Sequence, residues 1–425
     1  MTRSFLSLVL VLLTATVPGP EPAAAQPLTE VRRLLAGGQA ALAVPLLVRE
    51  FTADPHSVEG NRALWEVARG AAPHPEVMDA VESAADRLGA DGWLAAGVLL
   101  RRGLRPLDAL EAFDRAAIER PPEDASADIE AGRLLAELHS HDLALERFDR
   151  HPGDPAAIHG RAVVLARARR TEEALGLAET LLRAGPGGPG AVLLHAELLD
   201  SIGRGSEALD PLRRLVASTA PDGPAAFRLA RILVQQRLFA EAGPVLEAVI
   251  EANPRNAEAW LALARARQGQ DRRDEAVAAF ERALREDPAL NEALFGLAQL
   301  LTRAGDPKAA APLFAEFERL KATTDESGRL LGEAELHPED YGRVEAFVTH
   351  ALANGDFGLA LRGAQRFLVE LPEDSERHLL LARVFREGGS RADAERVLRR
   401  GLERFAGDEE AERRFEAGLR AIGVR

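Results

Sequence analysis

The sequence predicts an all-α chain built as a solenoid of about ten to eleven stacked helical hairpins. Three observations carry that expectation. Alanine recurs at a fixed interval of 34 residues along most of the chain. Small, large apolar and proline residues keep constant offsets from those alanines. Aromatic residues make up only 5% of the 425 positions, and the apolar 46% is rich in alanine and leucine, which suits close helix packing better than a sheet sandwich.

The chain opens with "MTRSFLSLVLVLLTATVPGPEPAAAQ". One positive charge (Arg3) precedes an apolar run from about Phe5 to Val17, followed by Pro-Gly-Pro and by Ala23 and Ala25 in A-x-A spacing. The run is shorter than the roughly 20 residues a mature membrane helix needs. Residues 1–25 therefore read as a signal peptide cleaved after Ala25, leaving a mature chain from Gln26 with no transmembrane anchor and a periplasmic or secreted location. Residues 26–89 hold two weaker hairpins, bounded by Pro55 and the "AAPHP" turn. A regular array follows over 90–324, an irregular insert over 325–340, two further repeats over 341–408 and a charged capping helix over 409–425.

The regular array rests on Ala174, Ala208, Ala242, Ala276 and Ala310, each 34 residues from the last. Ala360 and Ala394 resume the interval after an offset of 50, and Ala144, Ala109 and Ala43 extend it upstream. Four residues after these alanines stand Phe113, Phe148, Leu212, Leu246, Phe280, Phe314 and Leu398. Twelve before them stand Gly97, Gly132, Ala162, Ala196, Ala230, Ala264, Ala298 and Ala382, and prolines such as Pro121, Pro254 and Pro288 follow at twelve after. Small residues at two fixed points let a pair of helices approach closely, and the larger residue at i+4 fills the groove beside them. The proline ends the second helix. A hairpin of this kind cannot bury its apolar face alone and must stack on its neighbours.

This pattern resembles the tetratricopeptide repeat (TPR), with Trp260, Ala264, Ala276, Phe280, Ala283 and Pro288 matching it position for position, and Trp93, Gly97, Ala109, Phe113, Ala116 and Pro121 matching it again. The resemblance implies a right-handed superhelix of TPR-like hairpins. Its concave groove is lined by the first helix of each repeat, at the second, fifth, ninth and twelfth to thirteenth positions. With repeats starting near Gly223, Ala257 and Asn291, those positions pair Phe227 with Arg231, Leu261 with Arg265 and Phe295 with Gln299. Each pair is at i, i+4 and so on one helix face. These six residues are the candidate groove for a protein or peptide partner, most simply an extended or helical peptide with acidic groups.

Other chemistry finds little footing. The net charge of −14, from 53 basic and 67 acidic residues, argues against nucleic acid. The absence of cysteine removes disulfides and thiolate metal sites. "GPGGPG" (Gly185–Gly190) satisfies G-x-G-x-x-G, but it follows a helical segment where a dinucleotide site needs a strand, and so reads as an inter-repeat turn. "HSHD" places His139, His141 and Asp142 in the turn inside one repeat, and the insert carries Glu333, Glu335, His337, Glu339 and Asp340. Either cluster could be weighed as a metal site, against a solvated turn and a helical spacer, hinge or binding loop. No H-E-x-x-H, G-x-S-x-G or Walker loop occurs. The expectation is a non-catalytic exported scaffold without cofactor or metal, with the assembly of envelope or secreted machinery as its setting. A solute- or glycan-binding protein using the same concave face is the alternative.

Overall fold

In the computed structural model, residues 29–31, 33–34, 37, 39–53, 75–185, 188–219 and 223–424 are described. Residues 1–28 (with the expected signal peptide), all of 54–74 (with Pro55 and most of the AAPHP turn) and the centre of the GPGGPG turn lie outside them. The described chain is all-α and forms two compact units, residues 1–127 and 128–425.

The first unit holds α1 (Ala40–Ala53), α2 (Pro75–Arg102) and α3 (Pro106–Glu119). Helix α2 is broken at Gly89, whose φ of +64° and ψ of −153° are open to glycine alone, so a new helical segment starts after it. Trp93 lies under the Arg115 guanidinium at 4.4 Å, a cation–π contact at the edge of the hairpin.

The second unit is a run of antiparallel pairs: α4 (Ser126–Glu137) with α5 (His141–Asp149), α6 (Pro155–Arg167) with α7 (Thr171–Arg183), α8 (Pro189–Ser201) with α9 (Gly205–Ser218), α10 (Pro224–Gln235) with α11 (Phe239–Ala252), and α12 (Ala257–Gly269) with α13 (Arg273–Glu286). Next come α14 (Asn291–Arg303) and the long α15 (Pro307–Leu336). The unit then continues through α16 (Tyr341–Ala353) and α17 (Phe357–Glu370), α18 (Ser375–Glu387) and α19 (Arg391–Arg404), and ends at α20 (Glu409–Ala421). The arrangement is a solenoid of TPR-like hairpins.

The alanine ruler lies in the core: Ala109, Ala144, Ala174, Ala208, Ala242, Ala276, Ala360 and Ala394 are fully buried. The large residue four positions later is buried as well, with Phe113, Phe148, Phe280, Leu212 and Leu246 at 0–1% exposure. Several of these rings lie directly against a glycine, on their own first helix or on the following one. A Cβ at Gly132 would stand 2.7 Å from Cε1 and Cζ of Phe148, and one at Gly296 would stand 2.7 Å from the same atoms of Phe280. Gly160 approaches Phe148 from the following helix, and Gly97, Gly363 and Gly401 serve Phe113, Phe347 and Phe415 in the same way.

Each first helix ends in a left-handed residue placed five before the ruler alanine. These are Leu104, His139, Arg169, Gly203, Arg237, Asp271, Gly305, Gly355 and Gly389. In every case the following N–H donates back across the turn to a carbonyl five residues earlier, as in Arg170 to Leu165 (2.8 Å), Leu238 to Leu233 (2.8 Å) and Asp306 to Leu301 (3.0 Å). This is the Schellman closure, which satisfies carbonyls the helix end would otherwise leave unpaired. Helix starts are closed by carboxylates and an amide: Asp154, Asn256, Asp306, Asp340, Asp356, Asp374 and Asp408 each accept from backbone N–H groups of the first turn.

The residues after Asp325 are helical and continue α15 without a break to Leu336. Nothing in "LKATTDESGRLLGEAEL" stops a helix, since it contains no proline and its glycines occupy solvated positions. Among the described residues no helix is long and apolar enough to cross a membrane.

Candidate functional site

Within the second unit, first helices pack on first helices: α6 on α8, α8 on α10, α10 on α12, α16 on α18 and α18 on α20. This layer gives the fifth- and ninth-position side chains a common wall. The six candidates nevertheless differ in what they offer. Leu261 is 5% exposed and belongs to the core shared with Ala264, Phe280, Ala293 and Leu297, so it supports the wall from beneath. Phe227 is half-buried against the core of the central repeats. Phe295 is 39% exposed, with its ring 5.0 Å from that of Phe317 and 6.0 Å from that of Phe314. Gln299, one turn further along α14, is half-buried.

The two arginines are engaged across repeats. Arg265 donates to Glu292 on the next first helix at 2.7 Å, and Arg231 reaches back toward Asp200 on α8 at 3.8 Å. Arg228–Glu197 (2.8 Å) and Arg383–Glu345 (3.2 Å) repeat the theme. Both partners of the Arg265 pair are about half exposed, so water competes for it and a partner carboxylate could replace Glu292 at little cost. The guanidinium forks are therefore held in position by neighbouring acids.

Two clefts open along this layer that the sequence reading did not single out. One, of 540 Å³, is lined by Gly342, Glu345, Thr349 and Ala353, the second, fifth, ninth and thirteenth positions of their repeat, together with His350 and Arg383. The ruler offset of 50 was enough to place those positions, but their residue types carry no aromatic–arginine pairing. The other, of 490 Å³, is bordered by Arg133, His159, Thr180 and the glycines at 185, 188 and 190. Gly190 lies beside the His159 ring. Burial, then the Arg133 charge, hold His159 below the usual imidazole range. The GPGGPG turn joins helix α7 to helix α8, with no strand before it.

The remaining clusters resolve into structural pairs. His139 is the left-handed residue closing α4, and its ring centroid is 5.8 Å from that of His141. Burial and nearby arginines keep both below the ordinary histidine value. In the former insert, Glu333 pairs with Arg329 at 2.5 Å, Glu335 with Arg366, and Asp340 caps α16 while accepting from Arg343 at 3.1 Å. Among the described residues no group of three or more His, Cys, Asp or Glu side chains converges as a metal site would. Asp128, buried at 7%, is bound by His151 (2.9 Å), Arg150 (2.9 Å) and Arg147 (3.4 Å), which fastens α4 to the end of α5.

A tetratricopeptide repeat family model matches residues 94–158, 159–224, 261–323 and 346–409, and a second tetratricopeptide repeat model matches 233–278. No curated protein matches. Among solved structures, MamA (residues 41 to end) from Desulfovibrio magneticus RS-1 is 25% identical, covering 41% of this chain and 98% of its own, with a TM-score of 0.37. YrrB, described as a TPR protein with an unusual peptide-binding site, is 25% identical over 44% of this chain and 97% of its own, with a TM-score of 0.37. A further MamA structure is 17% identical over 39% of this chain and 96% of its own, with a TM-score of 0.35.

Proposed function

This chain belongs to the tetratricopeptide repeat family, and we propose that it is a non-catalytic, exported scaffold that binds a protein or peptide partner along its layer of first helices. The observation that carries the reading is the packing of first helix on first helix from α6 through α12, which lines up ninth-position Arg231 and Arg265 beside half-buried Phe227. The Arg265–Glu292 pair at 2.7 Å ties α12 to α14, the helix that carries exposed Phe295 and half-buried Gln299. Forked donors next to apolar platforms suit a peptide that brings carboxylates and an apolar face. The carboxylates of Glu292 and Asp200 occupy those donors in the absence of a partner. The signal-like N-terminus supports export, and assembly of envelope or secreted machinery is a setting consistent with it.

The test compares mature wild type with Arg231→Glu/Arg265→Glu as baits for the exported fraction, with partners identified by mass spectrometry. Recovery of a defined protein that falls at least about tenfold with the double variant supports the reading. Unchanged recovery refutes the groove, and a saccharide as the specific ligand would move the function to glycan binding.

A further inference from the structure

In the regular copies each second helix is covered twice, by its own first helix and by the first helix of the following repeat. Helix α13 packs on both α12 and α14 in this way. At the end of the array, α20 supplies the second cover for the last repeat: Phe415 is fully buried against Gly401, and Ala411 and Leu419 are buried beside it. The repeat made by α14 and the first half of α15 is different. Because α15 runs straight on to Leu336, the next first helix, α16, starts at Tyr341 and folds back only along the distal half of α15. His350, three residues from the end of α16, is near enough to act on the charge of Glu326. The proximal half, 307–320, is left with one cover.

Exposure records the vacancy. Phe314, whose counterparts Phe113, Phe148 and Phe280 are buried to 0–1%, is only half-buried. Phe317 stands where Ala283 and Ala116 are fully buried, and it too is half-buried. Phe295 is among the few exposed large apolar side chains of the described residues. The three rings form one aromatic face on the open flank. Lys321, one turn beyond Phe317 on the same helix face, is exposed and has no ion-pair partner among the described residues, where most arginines have one.

We propose that this flank is a docking site for an amphipathic helix of a protein partner, which takes the place of the missing first helix. The claim rests on the scaffold reading above and shares Phe295 with that groove, but turns on Phe314, Phe317 and Lys321. The fold dictates the occupant's shape and charge. It runs antiparallel to residues 307–320, as α14 does to α13, so its first turn lies beside Lys321. Several first helices here carry acid in that turn, as Asp128, Glu258, Glu292 and Glu376 show, whereas α6, α8, α10 and α16 carry none, and the capping helix α20 carries Glu409, Glu410 and Glu412. An occupant with an acidic first turn and an apolar face thus satisfies both the lysine and the rings.

The probe is a fluorescent peptide with the sequence of residues 408–424, which fills the equivalent position at the end of the array, measured by anisotropy against the full mature chain. Saturable binding below about 100 µM is expected. Phe317→Glu should weaken it by about tenfold. Lys321→Glu, at an exposed site that leaves the core intact, should weaken it about threefold, with recovery when the peptide carries Glu409→Lys, Glu410→Lys and Glu412→Lys. Absence of saturable binding overturns the proposal, as does equal binding by wild type and both variants. So does a wild-type dimer in sedimentation that Phe317→Glu dissolves, since a second copy would then be the occupant. Arg231→Glu/Arg265→Glu should leave peptide binding unchanged, which separates failure of this site from failure of the groove.

Discussion

The Gly132–Phe148 contact permits a test of the packing rule that sets the helix spacing. Gly132→Ala places a methyl carbon 2.7 Å from Cε1 and Cζ of Phe148 and 3.1 Å from Cδ1. The ring is 1% exposed and is met at the same Cε1–Cζ edge by Gly160 of the following helix, which limits its freedom to move. Overpacking of this kind costs about 1–3 kcal/mol, offset by about 1 kcal/mol from the better helix propensity of alanine, so a net loss of up to about 2 kcal/mol is expected. Phe148→Leu alone leaves a cavity and should cost about 1–2 kcal/mol, less than the 3–5 typical of truncation to alanine. Together they recreate the alanine–leucine pairing found at Ala196/Leu212 and Ala230/Leu246, where both members are buried to 0–1%. The double variant should therefore be more stable than the sum of the singles by about 1 kcal/mol or more. A repeat array unfolds locally, so the readout is native-state hydrogen exchange of peptides spanning 126–167 rather than one global midpoint. Additivity within about 0.5 kcal/mol would refute the steric account.

Three further outcomes follow from the same framework. Gly305→Ala, at φ +87°, should cost about 1 kcal/mol, while Arg237→Gly, at φ +60°, should be neutral or stabilising by up to about 1 kcal/mol, both visible as thermal midpoints. Asp128→Ala strips the shared acceptor from His151, Arg150 and Arg147 and should cost about 3 kcal/mol, seen as faster exchange in α4 and α5. His378 is 4% exposed and bonded through Nε2 to the Pro372 carbonyl at 2.8 Å, and burial holds it below the ordinary value of 6.5. Below pH 6.5 the unfolded chain takes up a proton that the folded chain refuses. Stability is therefore complete above that pH and declines as pH falls toward the folded value. Melting of α18 monitored from pH 8 to 5 should show the decline, and His378→Gln, which keeps a neutral donor, should reduce it.

Much of the fold was legible because its spacing is covalent. The alanine interval, the residue at i+4 and the closing proline fix where helices start, turn and touch, whatever their environment. The left-handed turn residue was legible in principle too, since it lies five before each ruler alanine. Chemistry hid it: Leu104, His139, Arg169, Arg237 and Asp271 occupy the position as readily as Gly203 or Gly305. The tryptophan at the fourth position had a similar disguise. Trp260 donates from Nε1 to the Pro254 carbonyl at 2.9 Å, and His378 makes the same bond to Pro372.

The candidate surface was less legible. Leu261 and Phe295 hold the same place in successive repeats, yet one is core and the other is open. Sequence alone determined the hairpin unit and the face on which each side chain projects, because both depend on 3.6-residue geometry within one helix. Whether that face is covered depends on which helix comes next and where it lies. For α14 and the first half of α15, the tertiary structure decided it: a helix that did not stop at the expected turn carried the next repeat two turns or more away and left three aromatic rings uncovered.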